Sequence, residues 1–191
     1  ARLADALGFG GDVLGEPQWA WLDAELAGAA RAGARFVVVV SSVQFATTNP
    51  AFESWLHFPR ARARLLALLA RHAPRGVAVL SGDVHHAEVL APPAAAARGG
   101  AAYCGELVEV TSSGLTHTIA TSAVTAKLFP PLLRWFTRHR PARDAYATEP
   151  NFGLLEFRWP DDDATGEAVE PVLEITVRGG LSGAVLLGPV R

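Results

Sequence analysis

Two unbroken apolar runs stand out along the chain, and each ends abruptly in small and polar residues. The first is Phe-Val-Val-Val-Val at 36–40, followed by Ser-Ser-Val-Gln at 41–44, and the second is Val-Ala-Val-Leu at 77–80, followed by Ser-Gly-Asp-Val-His-His at 81–86. Strands of a parallel sheet that is covered on both faces are near-continuous in Val, Ile and Leu rather than alternating. The two runs therefore predict parallel strands that are buried on both faces.

The remaining apolar positions predict helices and further strands. Trp19, Leu22 and Leu26 recur at helical spacing, which predicts a helix from about residue 16 to residue 31, and the leucines at 65–69 predict a second helix. Residues 106–110 alternate like a strand with one wet face, and residues 151–159 and 172–178 alternate as an antiparallel hairpin does. The apolar and aromatic segment 119–140 is expected to pack against the body rather than to form a lid or an interfacial patch.

Side chains with metal-binding chemistry follow the second apolar run. In open α/β sheets ligands bind just beyond the carboxyl ends of the strands, and Asp83 and His85 stand at such a position. A carboxylate supplies hard oxygen and an imidazole supplies borderline nitrogen, the ligand types of divalent and trivalent ions in hydrolytic sites. Gly82 is expected to allow a sharp turn of the backbone here. The pattern therefore predicts a metal site that contains Asp83 and His85.

Composition narrows the class of protein. The chain has 191 residues, half of them apolar, which suits one domain with a sizeable core. Its formal net charge of -2 gives no reason to expect nucleic acid or an anionic membrane as a partner. No apolar run reaches the length of a membrane span, and the first residues lack a signal-peptide pattern. Cys104 is the only cysteine, which excludes an internal disulfide and leaves the compartment undefined.

Several strings of this sequence resemble one family. Leu-Ser-Gly-Asp-Val-His-His-Ala-Glu at 80–88 resembles the last metal-site motif of PhoD-like alkaline phosphatases, within the calcineurin-like metallophosphoesterase superfamily. Most of that superfamily has Gly-His-x-His there, so Asp83 occupies the first His position and His85 the second. Ser-Ser-x-Gln at 41–44, Glu-Ser-Trp at 53–55 and Glu-x-Thr-Ser-Ser-Gly-Leu-Thr-His at 109–117 are similar to the same family.

The resemblance implies a fold and a reaction. The fold is an α/β sandwich, α-β-β-α, in which two mixed sheets pack face to face with helices outside. The activity is metal-dependent hydrolysis of a small phosphorylated substrate, a phosphomonoester or phosphodiester, by metal-activated hydroxide. Two divalent or trivalent metal ions are implied, with calcium together with iron, manganese or zinc as candidates. Asp83 suits a hard ion such as calcium better than it suits zinc.

The same resemblance assigns roles to three residues at the strand ends. Asp83 and His85 are expected to be catalytic metal ligands. His117 is expected to lie in or beside the site, where it would support the metal or the substrate. A lone histidine after a strand is otherwise a hydrogen-bonded loop residue, and that alternative stays open for His117.

Three further residues are candidates for contact with the substrate. Gln44 could contact substrate or a metal-bound water, or belong to a structural turn. Trp55 could wall a pocket near the metals, or pack at the entry of the following helix. His86 could flank the site, or orient a neighbouring side chain.

The ligand set that two metals require is incomplete in this sequence. The chain contains no Gly-Asn-His and, apart from Asp83-Val84-His85, no Asp-x-His, and these are the earlier motifs of the superfamily. Residues 1–191 are therefore expected to be the C-terminal portion of one PhoD-like domain whose N-terminal portion is absent, and the absence of methionine at position 1 fits a fragment. The isolated chain is expected to bind metal weakly and to be inactive.

A non-catalytic function is the alternative. A degenerate domain that keeps the scaffold to bind a partner or a phosphate ligand would also place Asp83 at a histidine position. The sequence has no Gly-x-Ser-x-Gly elbow of a serine hydrolase and no Gly-x-x-x-x-Gly-Lys-Ser/Thr phosphate-binding loop of an ATPase. The sequence thus favours a metallophosphatase-like domain over a serine hydrolase or an ATPase.

Overall fold

A computed structural model of the protein describes residues 11–72, 76–92, 106–120, 122–142, 144–159 and 171–191. The helices are α1 (Glu16–Arg31), α2 (Pro59–His72) and α3 (Ala123–Phe136), and a short 3-10 turn (Trp55–His57) precedes α2. The strands are β1 (Val37–Ser41), β2 (Val77–Ser81), β3 (Ala87–Leu90), β4 (Leu107–Ser112), β5 (Tyr146–Ala147), β6 (Asn151–Arg158), β7 (Val172–Gly179) and β8 (Val185–Val190). None of the described helices has the length and apolar character needed to cross a membrane.

The first sheet is mixed and has five strands in the order β1-β2-β4-β3-β5. Strands β1, β2 and β4 run parallel, whereas β3 runs antiparallel to both β4 and β5. Ser41 of β1 is aligned with Ser81 of β2, which is aligned with Thr111 of β4. This register brings the carboxyl ends of the three parallel strands to one edge, so the loops that follow them are neighbours.

The second sheet has three strands in the order β6-β7-β8 and is antiparallel throughout. The predicted hairpin of residues 151–159 and 172–178 is confirmed as β6 and β7, and β7 is central, with β6 and β8 at the two edges. The two sheets pack face to face over a core that contains Ala78, Val89 and Val110 from the first sheet and Leu173, Ile175 and Val177 from the second. Because all of its strand pairs are antiparallel, this sheet differs from the mixed second sheet that the resemblance implies.

Helices α1 and α2 cover the other face of the first sheet. Their buried side chains, among them Trp19, Leu26, Leu65 and Leu69, pack in one cluster with Val77 and Val79 of β2 and with neighbouring residues. Helix α1 ends before Gly33, whose φ of +69° is a conformation that favours glycine. Helix, mixed sheet and antiparallel sheet are thus successive layers, and the α/β sandwich is confirmed as the fold class.

Two expectations about the burial of strands are wrong. Strand β2 is central and almost wholly buried, but β1 lies at the edge of its sheet and Val40 is 78% exposed. Conversely, the face of β4 that was expected to be wet is buried, because Leu107 on that face packs in the cluster formed by α1 and α2. Glu109 and Thr111 of β4 are both 0% exposed. Buried polar groups require hydrogen-bond partners, and these two side chains connect the loops of the candidate site.

We expect Leu69→Ala to lower the free energy of unfolding by about 2–5 kcal/mol, because it opens a cavity in a close-packed core. Leu69 is fully buried between α2 and the first sheet, whereas Leu181 is 95% exposed. Urea unfolding of Leu69→Ala and of the matched control Leu181→Ala measures the difference. Equal stability of the two variants would contradict the assignment of α2 to the core.

Candidate functional site

Three loops meet at the carboxyl edge of the parallel strands. They are residues 42–47 after β1, 82–86 after β2 and 113–117 after β4. The backbone N–H of His85 donates to the hydroxyl of Ser113 at 3.3 Å, and the N–H of Ile119 donates to the carbonyl of His85 at 2.8 Å. A Cβ added at Gly82 would lie 3.6 Å from the carbonyl oxygen of Ser42. The loop after β2 is therefore packed between the other two loops.

Two of the predicted site residues come together at this edge. The rings of His85 and His117 have centroids 6.4 Å apart and planes inclined by 33°. Both side chains are exposed, as is that of Asp83. His117 Nδ1 lies 3.0 Å from the hydroxyl of Thr116, which orients its ring. The structure thus brings two imidazoles from separate strand ends, 32 residues apart in the sequence, to one exposed surface.

The backbone of the loop after β2 is strained. Asp83 has a φ of 75° and His85 a φ of 57°, and no other non-glycine residue in the described part of the chain has a positive φ. A left-handed conformation costs a residue with a Cβ roughly 1–2 kcal/mol, and such strain clusters at functional sites. Gly82 has no positive φ, so the expectation that it makes the turn is wrong. The two candidate metal ligands themselves make it.

Gln44 and Trp55 are buried beneath the loops. Gln44 is 0% exposed, and its Nε2 donates to Glu88 Oε2 at 2.9 Å and to Thr111 Oγ1 at 3.0 Å. Trp55 is 3% exposed, and its Nε1 donates to Ser41 Oγ at 3.0 Å. In this structure the two side chains join β1, β3 and β4 from inside the protein, and neither lies on the surface that carries the exposed imidazoles.

His86 points away from its neighbour His85 and into the protein. It is fully buried, with Nδ1 3.1 Å from the carbonyl of Val84 and Nε2 3.6 Å from Glu88 Oε2. Its ring lies 5.8 Å from that of Phe52. Here one histidine faces solvent while the next faces a buried carboxylate, and the left-handed turn at His85 separates the two orientations.

Glu88 is the site-supporting residue that the sequence analysis missed. It is 1% exposed and forms an ion pair with Arg140, in addition to its contacts with Gln44 and His86. Burial tends to raise the pKa of Glu88, but the contacts with His86, Arg140 and Gln44 outweigh it and hold the pKa below its ordinary value. The sequence signal that could have identified Glu88 is its position inside the apolar string Ala-Glu-Val-Leu. That string forms the fully buried strand Ala87–Leu90.

Glu109 holds the loop that follows β1. Its Oε1 accepts the backbone N–H of Phe45 at 2.8 Å and its Oε2 accepts that of Ala46 at 2.6 Å. Complete burial raises the pKa of Glu109, against the effect of these two hydrogen bonds, which favour the ionised form. Because Gln44 precedes Phe45 directly, this contact also places the Gln44 amide against Glu88.

The exposed residues fit a metal ion in donor type but not in number. An imidazole nitrogen binds zinc at about 2.1 Å, so rings at the separation of His85 and His117 can approach one ion from two sides. Asp83 adds a carboxylate on the same loop. Across the described residues, however, no three His, Cys, Asp or Glu side chains lie close enough together to hold a metal.

The fold and this edge define the chain as an α/β sandwich protein with exposed carboxylate and imidazole side chains at its strand ends. The sequence model of the PhoD-like phosphatase family matches residues 4–161. The chain therefore belongs to the PhoD-like phosphatase family.

A solved structure shares the fold. The chain is similar to the structure titled "Structure of PhoD", with a TM-score of 0.52 and 17% sequence identity. The match covers 96% of this chain and 38% of the other, so this chain spans less than two fifths of that protein. No curated protein sequence matches the chain.

We expect Glu88→Gln to lower the free energy of unfolding by about 3–5 kcal/mol at neutral pH, because the buried guanidinium of Arg140 then lacks its counter-charge. The fold lowers the pKa of Glu88 from its ordinary value of 4.5. Its contribution is therefore complete above that value and is lost as the pH falls through the lowered pKa. Urea unfolding at pH 7 and at progressively lower pH measures the effect.

The matched control is Glu25→Gln, at an exposed position of α1. It is expected to change stability by less than about 0.5 kcal/mol at either pH. A Glu88→Gln variant as stable as this control at pH 7 would show that the buried ion pair does not hold the loops.

The positive φ of His85 leads to a prediction about the stability of variants at this position. His85→Gly is expected to be more stable than His85→Ala by about 1 kcal/mol, because only glycine adopts a φ of 57° without a Cβ clash. At His57, which has no positive φ, the order should reverse, with His57→Gly less stable than His57→Ala by about 0.5–1 kcal/mol. Thermal or urea unfolding without metal compares the two pairs. The same order at both positions would rule out strain at His85.

Proposed function

We propose that this chain supplies part of the site of a metal-dependent phosphoesterase that hydrolyses a small phosphorylated substrate, either a monoester or a diester. The observation that carries the proposal is the convergence of exposed His85 and His117 from two strand ends beside Asp83, with the strained backbone at both Asp83 and His85. Membership of the PhoD-like phosphatase family supports the same reaction class.

Three exposed residues would act directly. His85 and Asp83 are the proposed metal ligands, and His117 is proposed to steady the metal or a phosphate oxygen from the neighbouring loop. A carboxylate oxygen suits calcium, and an imidazole nitrogen suits zinc, iron or manganese. Metal ions bound there would supply Lewis acidity toward phosphate oxygens and would lower the pKa of a bound water.

Three buried residues would act through the loops. Gln44 and His86 each contact Glu88, and Trp55 contacts Ser41 at the end of β1. We propose that they position the exposed residues from beneath rather than touch the substrate. Such support matters because a displacement of about 1 Å at a reacting group costs about 100-fold in rate.

Further ligands would come from residues outside this chain. Two metal ions bridged at the usual spacing of about 3.5–4 Å need more donors than Asp83, His85 and His117 provide. We propose that residues 1–191 form the C-terminal portion of a larger PhoD-like domain, as the 38% coverage of the PhoD structure suggests. The isolated chain would then bind metal weakly and hydrolyse little substrate.

A non-catalytic binding domain is the second candidate. The observation that favours it is that the described residues contain no cluster of three potential metal ligands. Such a domain would tolerate His85→Ala and Asp83→Ala with no loss of ligand binding. A phosphoesterase would lose metal affinity in both variants.

We expect His85→Ala to weaken the binding of Mn²⁺ or Zn²⁺ to this chain by at least about tenfold, because even the residues around metal ligands contribute that much. His57→Ala is the matched control, since His57 is exposed and contacts the carbonyl of Phe52 instead. Isothermal titration calorimetry compares the two variants with the parent chain. Hydrolysis of p-nitrophenyl phosphate and of its diester, by a protein extended upstream in the same reading frame, should fall in His85→Ala and not in His57→Ala.

The outcomes separate the candidates. Metal affinity that is the same in both variants would remove His85 from the ligand set. Phosphatase activity that survives in His85→Ala would remove it from the reaction. A longer protein that binds phosphorylated ligands in both variants but never turns them over would establish the binding domain instead.

A further inference from the structure

A second cationic cluster lies beyond the carboxyl end of helix α3. The last turn of the helix and the segment that follows it line an open cavity of about 180 Å³, and the lining residues are Arg134, Thr137, Arg138, Arg140, Pro141 and Ala142. None of these residues is among the exposed residues proposed to act directly at the strand ends, although Arg140 also pairs with Glu88 beneath them. The lining residues carry three guanidinium groups and one hydroxyl.

The three arginines leave an excess of positive charge. Arg134 forms an ion pair with Asp144 at 2.9 Å, and Arg140 is paired with Glu88. Arg138 is exposed, and no carboxylate of the described residues lies within ion-pairing distance of it. Two charges are balanced and one is not, so the cavity attracts an anion.

Thr137 adds a buried polar group that has no partner. The residue is 7% exposed, and its Oγ1 makes no hydrogen bond with the described residues. A buried hydroxyl without a partner is unfavourable, and such groups in native proteins point to a water, an ion or a ligand. An oxyanion in the cavity would accept this hydrogen bond.

The walls of the cavity are held in place before any ligand arrives. The guanidinium groups of Arg140 and Arg134 lie 4.6 Å and 5.9 Å from the ring centroid of Tyr146. The hydroxyl of Thr48 donates to the carbonyl of Phe136 at 2.8 Å and accepts the N–H of Arg138 at 3.0 Å. A preorganised site loses less side-chain entropy on binding.

We propose that this cavity binds a phosphate group, with Arg138 and the hydroxyl of Thr137 as the direct donors and with Arg134 and Arg140 supplying the surrounding charge. Guanidinium groups match tetrahedral oxyanions because their planar N–H donors form paired, charge-assisted hydrogen bonds. The proposal does not depend on metal or on the proposed hydrolysis, because Asp83, His85 and His117 take no part in it.

The phosphate group could be free in solution or belong to a lipid headgroup. Trp135, which directly follows Arg134, is 81% exposed. Leu128 and Val124 of the same helix are 62% and 72% exposed. Exposed aromatic and aliphatic residues beside arginine also suit the boundary of a lipid surface. The chemistry of the bound group is the same in both cases, and the experiment distinguishes its source.

The first arm titrates inorganic phosphate into the full chain by isothermal titration calorimetry, with a chelator present and ionic strength held constant. Arg138→Gln and Thr137→Val are each expected to weaken phosphate binding about tenfold, as the loss of a hydrogen bond to a charged group does. Arg71→Gln, which makes the same charge change on exposed α2, should stay within about twofold. Because the chelator removes any bound metal, phosphate binding that persists in its presence is separate from the proposed metal site.

The second arm measures sedimentation with phosphatidylcholine vesicles that contain or lack phosphatidic acid. Binding that requires phosphatidic acid and falls in Arg138→Gln and Thr137→Val, without binding of free phosphate, would identify a lipid headgroup as the source. The proposal is overturned if neither free phosphate nor phosphatidic acid binds. It is also overturned if binding survives in Arg138→Gln and Thr137→Val as it does in Arg71→Gln.

Discussion

The buried carboxylate of Glu88 is the contact on which the arrangement of the candidate site depends. It balances the charge of Arg140, accepts the amide of Gln44 and faces the ring of His86. A buried charge is stable only when it is paired and hydrogen-bonded, so these four side chains fix one another. His85 then faces solvent because the chain turns sharply before the next residue enters this network.

Much of the fold follows from local patterns in the sequence. The apolar run at 77–80 predicts the central strand β2, the helical spacing of Trp19 and Leu26 predicts α1, and the alternation after residue 151 predicts the hairpin of the second sheet. Each of these elements buries one continuous apolar surface, so its apolar residues recur at the spacing of a helix or a strand. That spacing can be read from the sequence alone. The position of Asp83, His85 and His117 at strand ends follows from the same patterns once β2 and β4 are neighbours.

The parts that local patterns do not predict depend on partners far away in the sequence. Glu88 and Arg140 are 52 residues apart, and Glu109 meets the loop of Phe45 from 64 residues away. Glutamate and arginine are normally on the surface, and residues 106–110 were accordingly expected to form a strand with one wet face. Edge or central position in the sheet also decides burial, and it depends on strand order rather than on composition. That is why Val40 of the apolar β1 is exposed while polar residues of β4 are buried.

We propose that Asp83 and His85 hold a metal ion at the carboxyl edge of the first sheet. The most direct measurement is an anomalous difference map from crystals of the protein soaked in Mn²⁺, collected on both sides of the metal absorption edge. The account predicts a peak within about 2.5 Å of a ring nitrogen of His85 and of a carboxylate oxygen of Asp83, with His117 turned toward it. A metal peak at another surface, with the ring of His85 free, would contradict the account.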